Sequence, residues 1–227
     1  VSGIVIAVDG SSGVGKSTVC REVARRLGLS YLDTGATYRV AALLCLREGI
    51  DLGDDDAVVA AVETMNVQIV LDPDEPRVTL DHEDVSQLLR SEAITGTVSE
   101  VAMNLDVRAV LGKLQRELIL KEITGGRSGG AGIIAEGRDI TTVVAPDADV
   151  RILMTADPEV RVTRRELETE TAGLLGVREA VLGRDAKDAK VAEFHQAADG
   201  VLVIDTTYLT IDEVVAAIID LAHQATL

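Results

Sequence analysis

The chain has no tryptophan and a single phenylalanine, Phe194, and its three tyrosines bring the aromatic share to only 2% of 227 residues. A core built almost without rings must come from the Val, Leu, Ile and Ala that dominate a hydrophobic fraction of 47%. That composition suits a buried parallel sheet flanked by helices. Basic runs are also missing: no five consecutive residues are Lys or Arg, and the net charge is -16. Such a chain repels nucleic-acid backbones and anionic membranes, so neither is expected as a partner. A small phosphorylated molecule is still allowed if arginines gather in one cleft. Cysteine is scarce, and Cys20 and Cys45 have no CxxC or Cys/His spacing. They read as buried free thiols in a reducing compartment rather than a disulfide or structural metal site. Long apolar runs are absent too: Ile4 to Val8 is far too short for a signal or membrane segment and has no basic leader. A soluble, cytoplasmic, monomeric protein is the expectation, with one domain or one domain carrying an insertion.

What is present begins directly after that first apolar run. Gly10-Ser11-Ser12-Gly13-Val14-Gly15-Lys16-Ser17 satisfies G-x-x-x-x-G-K-[ST] and stands between a strand-like segment and a helical one, the context that makes it a phosphate-binding loop. A polyphosphate needs several backbone N–H donors converging on it, and Gly10, Gly13 and Gly15 keep side chains out of their way. Lys16 can bring charge to the β- and γ-phosphates, and the Ser17 hydroxyl can ligate Mg²⁺. The helix opening at Lys16, Ser17 and Thr18 aims its positive end at the anion. Val19, Val23 and Leu27 at helical spacing, with Gly28 as a stop, support that helix independently.

Further strands are expected at Gly132–Ala135, Val150–Met154 and Val201–Ile204, with a short one at Ser30–Leu32, alternating with helical patterns. Helices are expected from Asp106 to Glu122, with Val107, Val110, Leu111, Leu114 and Leu118 on one face, and from Thr210 to Gln224 behind the capping box Thr210-Ile211-Asp212-Glu213. Asp157-Pro158 is another helix start. Period-two alternation at Val67–Leu71, the turn Asp72–Pro76 and a second run at Arg77–Leu80 predict a hairpin insertion, and glycine-rich 125–132 predicts a flexible connector.

Asp33-Thr34-Gly35-Ala36-Thr37-Tyr38-Arg39 follows the first βα unit, and Glu136-Gly137-Arg138-Asp139-Ile140-Thr141-Thr142-Val143-Val144-Ala145-Pro146-Asp147-Ala148 follows the strand-like run Gly132–Ala135. With these two motifs, Arg184-Asp185-x-x-Asp188 and Asp205-Thr206-Thr207, the chain resembles the bacterial cytidylate kinases of the nucleoside monophosphate kinase family. The resemblance runs nearly end to end. It implies an α/β, P-loop nucleoside triphosphate hydrolase fold: a parallel sheet flanked by helices, a small hairpin insertion and a mobile lid. The core would be about 1–33, 102–160 and 200–227, the monophosphate-binding region about 34–101 and the lid about 161–199. It further implies ATP and Mg²⁺ as donor and cofactor and CMP or dCMP as acceptor. Thr34, Gly35 and Tyr38 would line the acceptor site, with Arg39 and Arg138 clamping its phosphate, since a guanidinium binds phosphate oxygens bidentately. Asp139 would accept from the cytosine 4-amino group while Arg108 donates to the ring and Ser99 completes the set. Uracil would set an acceptor against that acceptor. Arg184 and Asp188 would contact the sugar from the lid. Glu136 sits where P-loop proteins place a carboxylate near Mg²⁺, or it is a structural acid at a strand end.

The chain departs from the family in the lid. Many members continue with Asp-Ser-x-Arg, whereas this chain reads Asp188-Ala189-Lys190-Val191. The second lid arginine is missing, leaving Lys190, one residue early, or one of Arg161, Arg164 and Arg165 to replace it. Arg161 and Arg165 are the residues expected to face the ATP phosphates. Other acceptors, such as UMP, and a nucleotide-binding module without turnover are the alternatives. A GTPase is disfavoured because neither asparagine, Asn66 or Asn104, begins Asn-Lys-x-Asp. His82, His195 and His223 read as surface residues.

Overall fold

Strand β1 (Ile4–Gly10) is apolar on both sides because it is covered on both sides. Ile6 and Val8 meet one layer and Ala7 the other. The computed structural model describes residues 3–168 and 196–226. From β1 the chain runs through α1 (Lys16–Leu27), β2 (Ser30–Asp33), α2 (Thr34–Glu48) and α3 (Asp55–Glu63) into a small sheet of β3 (Val67–Val70), β4 (Arg77–Leu80) and β5 (Glu83–Asp84). A 3₁₀ turn at Leu88–Arg90, α4 (Glu92–Met103) and α5 (Leu105–Thr124) lead back to β6 (Gly132–Gly137) and a π-helical turn, Ile140–Val144. Then come β7 (Val150–Thr155), α6 (Pro158–Glu168), β8 (Leu202–Asp205) and α7 (Ile211–Ala225). No helix among the described residues is long and apolar enough to cross a membrane.

The main sheet is parallel throughout, in the order β2-β6-β1-β7-β8. Beneath one face, Val19, Cys20 and Val23 of α1 and Val214, Val215 and Ile218 of α7 pack against Ile6, Val8 and Ile152. On the other face, Ile119 of α5 and Ile140 and Val144 of the π turn cover Ala7, Ile133 and Ala135. Burying each large aliphatic side chain is worth about 1.5–3 kcal/mol. A third cluster joins α2, α3, α4 and α5 to Val78 and Leu80 of the small sheet. Both cysteines are buried free thiols, and His82 and His223 are exposed, whereas His195 lies outside the described residues.

Three expectations are amended. The insertion pairs as an antiparallel hairpin, Val67 opposite Leu80 and Val70 opposite Arg77, but a third strand, β5, extends it. Asp81 and His82 both adopt positive φ, 49° and 69°, which matches the right-handed twist of a two-residue hairpin turn. On α5 the buried stripe is Val107, Leu111, Gln115, Ile119 and Glu122, while Val110, Leu114 and Leu118 are half-buried. The last polar member of that stripe accounts for the third amendment. The loop expected to be a flexible connector closes on Glu122, which accepts from the Ser30 hydroxyl at 2.7 Å and from the Arg127 and Ser128 amides at 3.1 and 3.0 Å. Gly130 N also donates to Gly125 O at 2.7 Å.

Candidate active site

The phosphate loop joins β1 to α1. At Gly13, with φ of +78°, an added Cβ would stand 2.6 Å from the Arg161 carbonyl oxygen, so α6 packs directly on the loop. Gly15 caps α1 with φ of +92°, and a Cβ there would project into open space. Since Gly15 supplies no side-chain cap, the first-turn N–H groups of α1 remain available to an anion. Lys16 Nζ donates to the carbonyls of Gly10 at 2.6 Å and Ser11 at 2.9 Å. Arg161 is 7% exposed and donates to Ser12 O at 3.1 Å, bracing the loop.

Two acids stand side by side at the sheet's carboxyl end, where Glu136 of β6 is in register with Val8 of β1 and Asp33 of β2. Glu136 is buried and accepts from the hydroxyls of Tyr31 and Ser17. Burial and the neighbouring Asp33 charge push its carboxyl above the ordinary value, against the pull of Lys16. Burial and the same carboxylate raise the Tyr31 phenol well above its usual range, so it remains a donor. Burial works on Asp33 as well, but Arg39 outweighs it and holds that carboxyl low. Thr34 Oγ1 donates to Glu136 O at 2.7 Å, locking the start of α2 to β6.

The structure brings most of the expected acceptor residues to this end of the sheet. Arg39, one turn into α2, pairs with Asp33. Gly35 leaves room for that pair, since a Cβ would stand 2.9 Å from Arg39 Nη1 and 3.0 Å from Asp33 Oδ1. Arg138 Nη1 donates to Gly10 O, reaching the phosphate loop itself. Arg108 of α5 pairs with Asp139, and its guanidinium lies 5.8 Å from the centre of the Tyr38 ring. Arg108 also donates to Ala102 O at 3.3 Å, which ties it to α4, where Ser99 is buried at 5% exposure. Burial raises the Asp139 carboxyl despite Arg108.

On the other side of the loop, a cavity of about 210 Å³ is lined by Gly15, Thr18, Arg164, Thr206, Leu209 and Ile211. Arg164 donates to Thr206 Oγ1 at 3.0 Å and to Thr206 O at 2.7 Å. Thr206 is anchored in turn by its own N–H to Thr155 O at 2.8 Å. Of the three α6 arginines, then, Arg161 holds the loop, Arg164 walls the cavity and Arg165 is exposed. Arg184, Asp188, Lys190 and most of the expected lid lie outside the described residues.

Two residues were not expected from sequence. Tyr31 holds Glu136, and Asp9, 2% exposed, accepts from Ile140 N, Thr141 N and Thr141 Oγ1 at 2.8, 2.8 and 2.6 Å. An acid closing an otherwise apolar strand was the available signal for Asp9. No cluster of three or more potential metal-ligating His, Cys, Asp or Glu exists among the described residues.

Comparison with known proteins gives a consistent result. Residues 6–224 match the family model described as cytidylate kinase. The chain is 41% identical over 224 residues to a cytidylate kinase of Streptomyces griseus subsp. griseus, covering 98% of this chain and 94% of that protein. It is 44% identical over 224 residues to one from Rhodococcus opacus, covering 96% and 94%. Among solved structures, a Thermus thermophilus protein aligns with a TM-score of 0.50 at 20% identity, covering 98% of each chain. An uncharacterized protein from Eubacterium ventriosum aligns at 0.51 and 11%, covering 97% and 98%. At such identities the two structures speak for the fold alone.

Proposed function

The chain belongs to the cytidylate kinase family and is a nucleoside monophosphate kinase that phosphorylates CMP, and from that premise we propose how its residues divide the work. ATP is the phosphate donor, and we extend the acceptor to dCMP. The observation that supports the assignment is the contact of Arg138 with Gly10 O beside the Arg108–Asp139 pair, since an acceptor read by those residues would lie next to the phosphate loop.

In the reaction a phosphate oxygen of CMP forms a bond to the γ-phosphorus of ATP as the bond to the β,γ-bridging oxygen breaks, and ADP leaves with that electron pair. No covalent enzyme intermediate is required; positioning and charge neutralisation do the work. Lys16 turns from the Gly10 and Ser11 carbonyls to the β- and γ-phosphates, which also accept from the open N–H groups of α1. Arg39 and Arg138 grip the acceptor phosphate in line, with Thr34 and Gly35 shaping the floor. Asp139 accepts from the cytosine 4-amino group, Arg108 donates to the ring with Tyr38 packed beneath it, and Ser99 supports that end of the pocket. Uracil offers an oxygen to Asp139 instead, an unpaired clash that discriminates strongly. The cavity walled by Arg164 and Thr206 takes the adenosine end of ATP, with Arg161 and Arg165 toward its phosphates. Arg184 and Asp188 are assigned to the sugar by the family pattern.

The donor set suits Mg²⁺. A hydroxyl, Ser17, already touches a buried carboxylate, Glu136, that is crowded by a second acid, Asp33. These are hard oxygen donors, too few for an all-protein cage but sufficient alongside substrate phosphates. Ser17 would hold the ion directly, with Glu136 oriented by Tyr31, and a bound ion would supply neutralisation of charge on the transferring phosphate.

The test is ADP formation from ATP and Mg²⁺ with CMP, dCMP, UMP and AMP offered separately. Fast turnover on CMP, comparable turnover on dCMP and far slower turnover on UMP is the expected result. Equal rates on CMP and UMP would refute the base-reading pair.

A further inference from the structure

Asp9 immediately precedes the phosphate loop, and its side chain is tied to the segment that carries two acceptor contacts. Its Oδ1 accepts from Ile140 N at 2.8 Å, and its Oδ2 accepts from Thr141 N at 2.8 Å and Thr141 Oγ1 at 2.6 Å. One residue later, Gly10 O accepts from both Arg138 and Lys16. The entrance of the phosphate loop therefore grips 138–141 at two points, one on each side of Asp139. Asp139 itself has φ of -147° and ψ of 24°, outside helix and strand, so no regular ladder fixes its direction. Ile140 N and Thr141 N open the π-helical turn and have no acceptor within it. A carboxylate is well suited to that position because its two oxygens can serve three donors at once.

We propose that Asp9 is a positioning residue for phosphoryl transfer: through the 139–141 turn it sets the distance between the phosphate loop and the acceptor contacts Arg138 and Asp139. The inference rests on the assignment of those two residues as acceptor contacts. Reacting atoms must approach to about 3–3.5 Å, and a misplacement of about 1 Å in the supporting structure can cost about 10²-fold in rate. Asp9→Asn keeps the shape of the side chain but turns an NH₂ group against one of the amides, so the turn must shift or lose a bond. Burial raises the Asp9 carboxyl against the pull of its Thr141 and Ile140 donors.

The experiment measures kcat and KM for CMP and for UMP, and KM for ATP, in the wild type, Asp9→Asn, Thr141→Val and Asp139→Asn, with thermal unfolding to verify folding. For Asp9→Asn, kcat/KM for CMP is expected to fall about 10²-fold, KM for ATP to hold, and the CMP-to-UMP ratio to narrow toward that of Asp139→Asn. Thr141→Val retains both amide bonds and should move the ratio the same way by less. A purely structural role predicts lower activity and lower thermal stability at an unchanged ratio. A wild-type ratio in Asp9→Asn, or in Thr141→Val should Asp9→Asn not fold, overturns the inference if Asp139→Asn narrows the ratio. A wild-type ratio in Asp139→Asn overturns the acceptor assignment and this inference with it.

Discussion

Arg39 donates from Nη2 to Asp33 Oδ2 at 2.5 Å while the other oxygen of Asp33 accepts from Ala36 N at 3.2 Å, so the cap of α2 also aims the arginine one turn into that helix. Arg39 Nε is buried with no hydrogen-bond partner. A phosphate entering the site therefore finds a guanidinium already oriented by Asp33, while Asp33 keeps its capping role.

Removing that guanidinium should be costly. Arg39→Ala is expected to lower kcat/KM for CMP by about 2–5 kcal/mol, the range for truncating one member of a desolvated charge pair. Arg39→Lys should recover only part of this, because an ammonium has no fork. Steady-state kinetics with CMP varied decides it, and activity near wild type in Arg39→Ala would remove Arg39 from the clamp.

Asp139→Asn reverses part of the hydrogen-bonding pattern offered to the base. The preference for CMP over UMP should fall by about 10- to 100-fold, the equivalent of one hydrogen bond involving a charged group. Arg108 loses its counter-charge in the same variant, so absolute rates should also drop. Competing CMP against UMP at fixed ATP gives the ratio directly, and an equal loss on both acceptors contradicts the base-reading role.

The cavity beside the loop has its own signature. Arg164→Ala removes the two hydrogen bonds to Thr206 and opens one wall, so KM for ATP should rise about tenfold or more, with the CMP-to-UMP ratio unchanged. A changed ratio, or an unchanged KM for ATP, would place the adenosine elsewhere.

Glu122 offers a test on stability instead of catalysis. Burial alone would raise its carboxyl, but the Ser128 amide, the Ser30 hydroxyl and the Arg127 amide bring it below the ordinary 4.5. A carboxyl depressed in the folded state contributes stability that is present above its unfolded value and is lost as pH falls through the folded one. Glu122→Gln should therefore cost about 1–3 kcal/mol at neutral pH. Below pH 4.5 the difference from wild type should shrink. Denaturant unfolding at pH 7 and pH 4 checks it; a pH-independent difference would assign the cost to packing.

Much of this was legible in the residues because it rests on local rules. The strand, glycine loop and helix at the start follow from sterics within a few residues, and the Thr210–Glu213 capping box is present as spaced. Asp33, Arg39, Arg138 and Asp139 were marked by their motifs. What was hidden depends on contacts distant in sequence. Asp9 binds residues more than 130 positions away, and Tyr31 meets Glu136 across 105. Gln115 and Glu122 break an apolar stripe that period counting alone would have left unbroken, since Gln115 Nε2 finds Thr37 on α2 and Glu122 accepts from the 125–132 loop. Strand β5 was missed because two acids carry no strand propensity, and it forms by pairing with β4.

The acceptor-site cations Arg39 and Arg108 face carboxylates of their own chain, Asp33 and Asp139, while the protein as a whole carries -16. An incoming nucleotide therefore meets no attractive far field. It approaches against a net repulsion that is screened beyond the Debye length of about 8 Å at physiological ionic strength and is felt inside it. Encounter should accordingly speed up as salt is added from low ionic strength, the reverse of electrostatically steered association. Selection then begins at touch, when phosphate and base exchange partners with groups already paired.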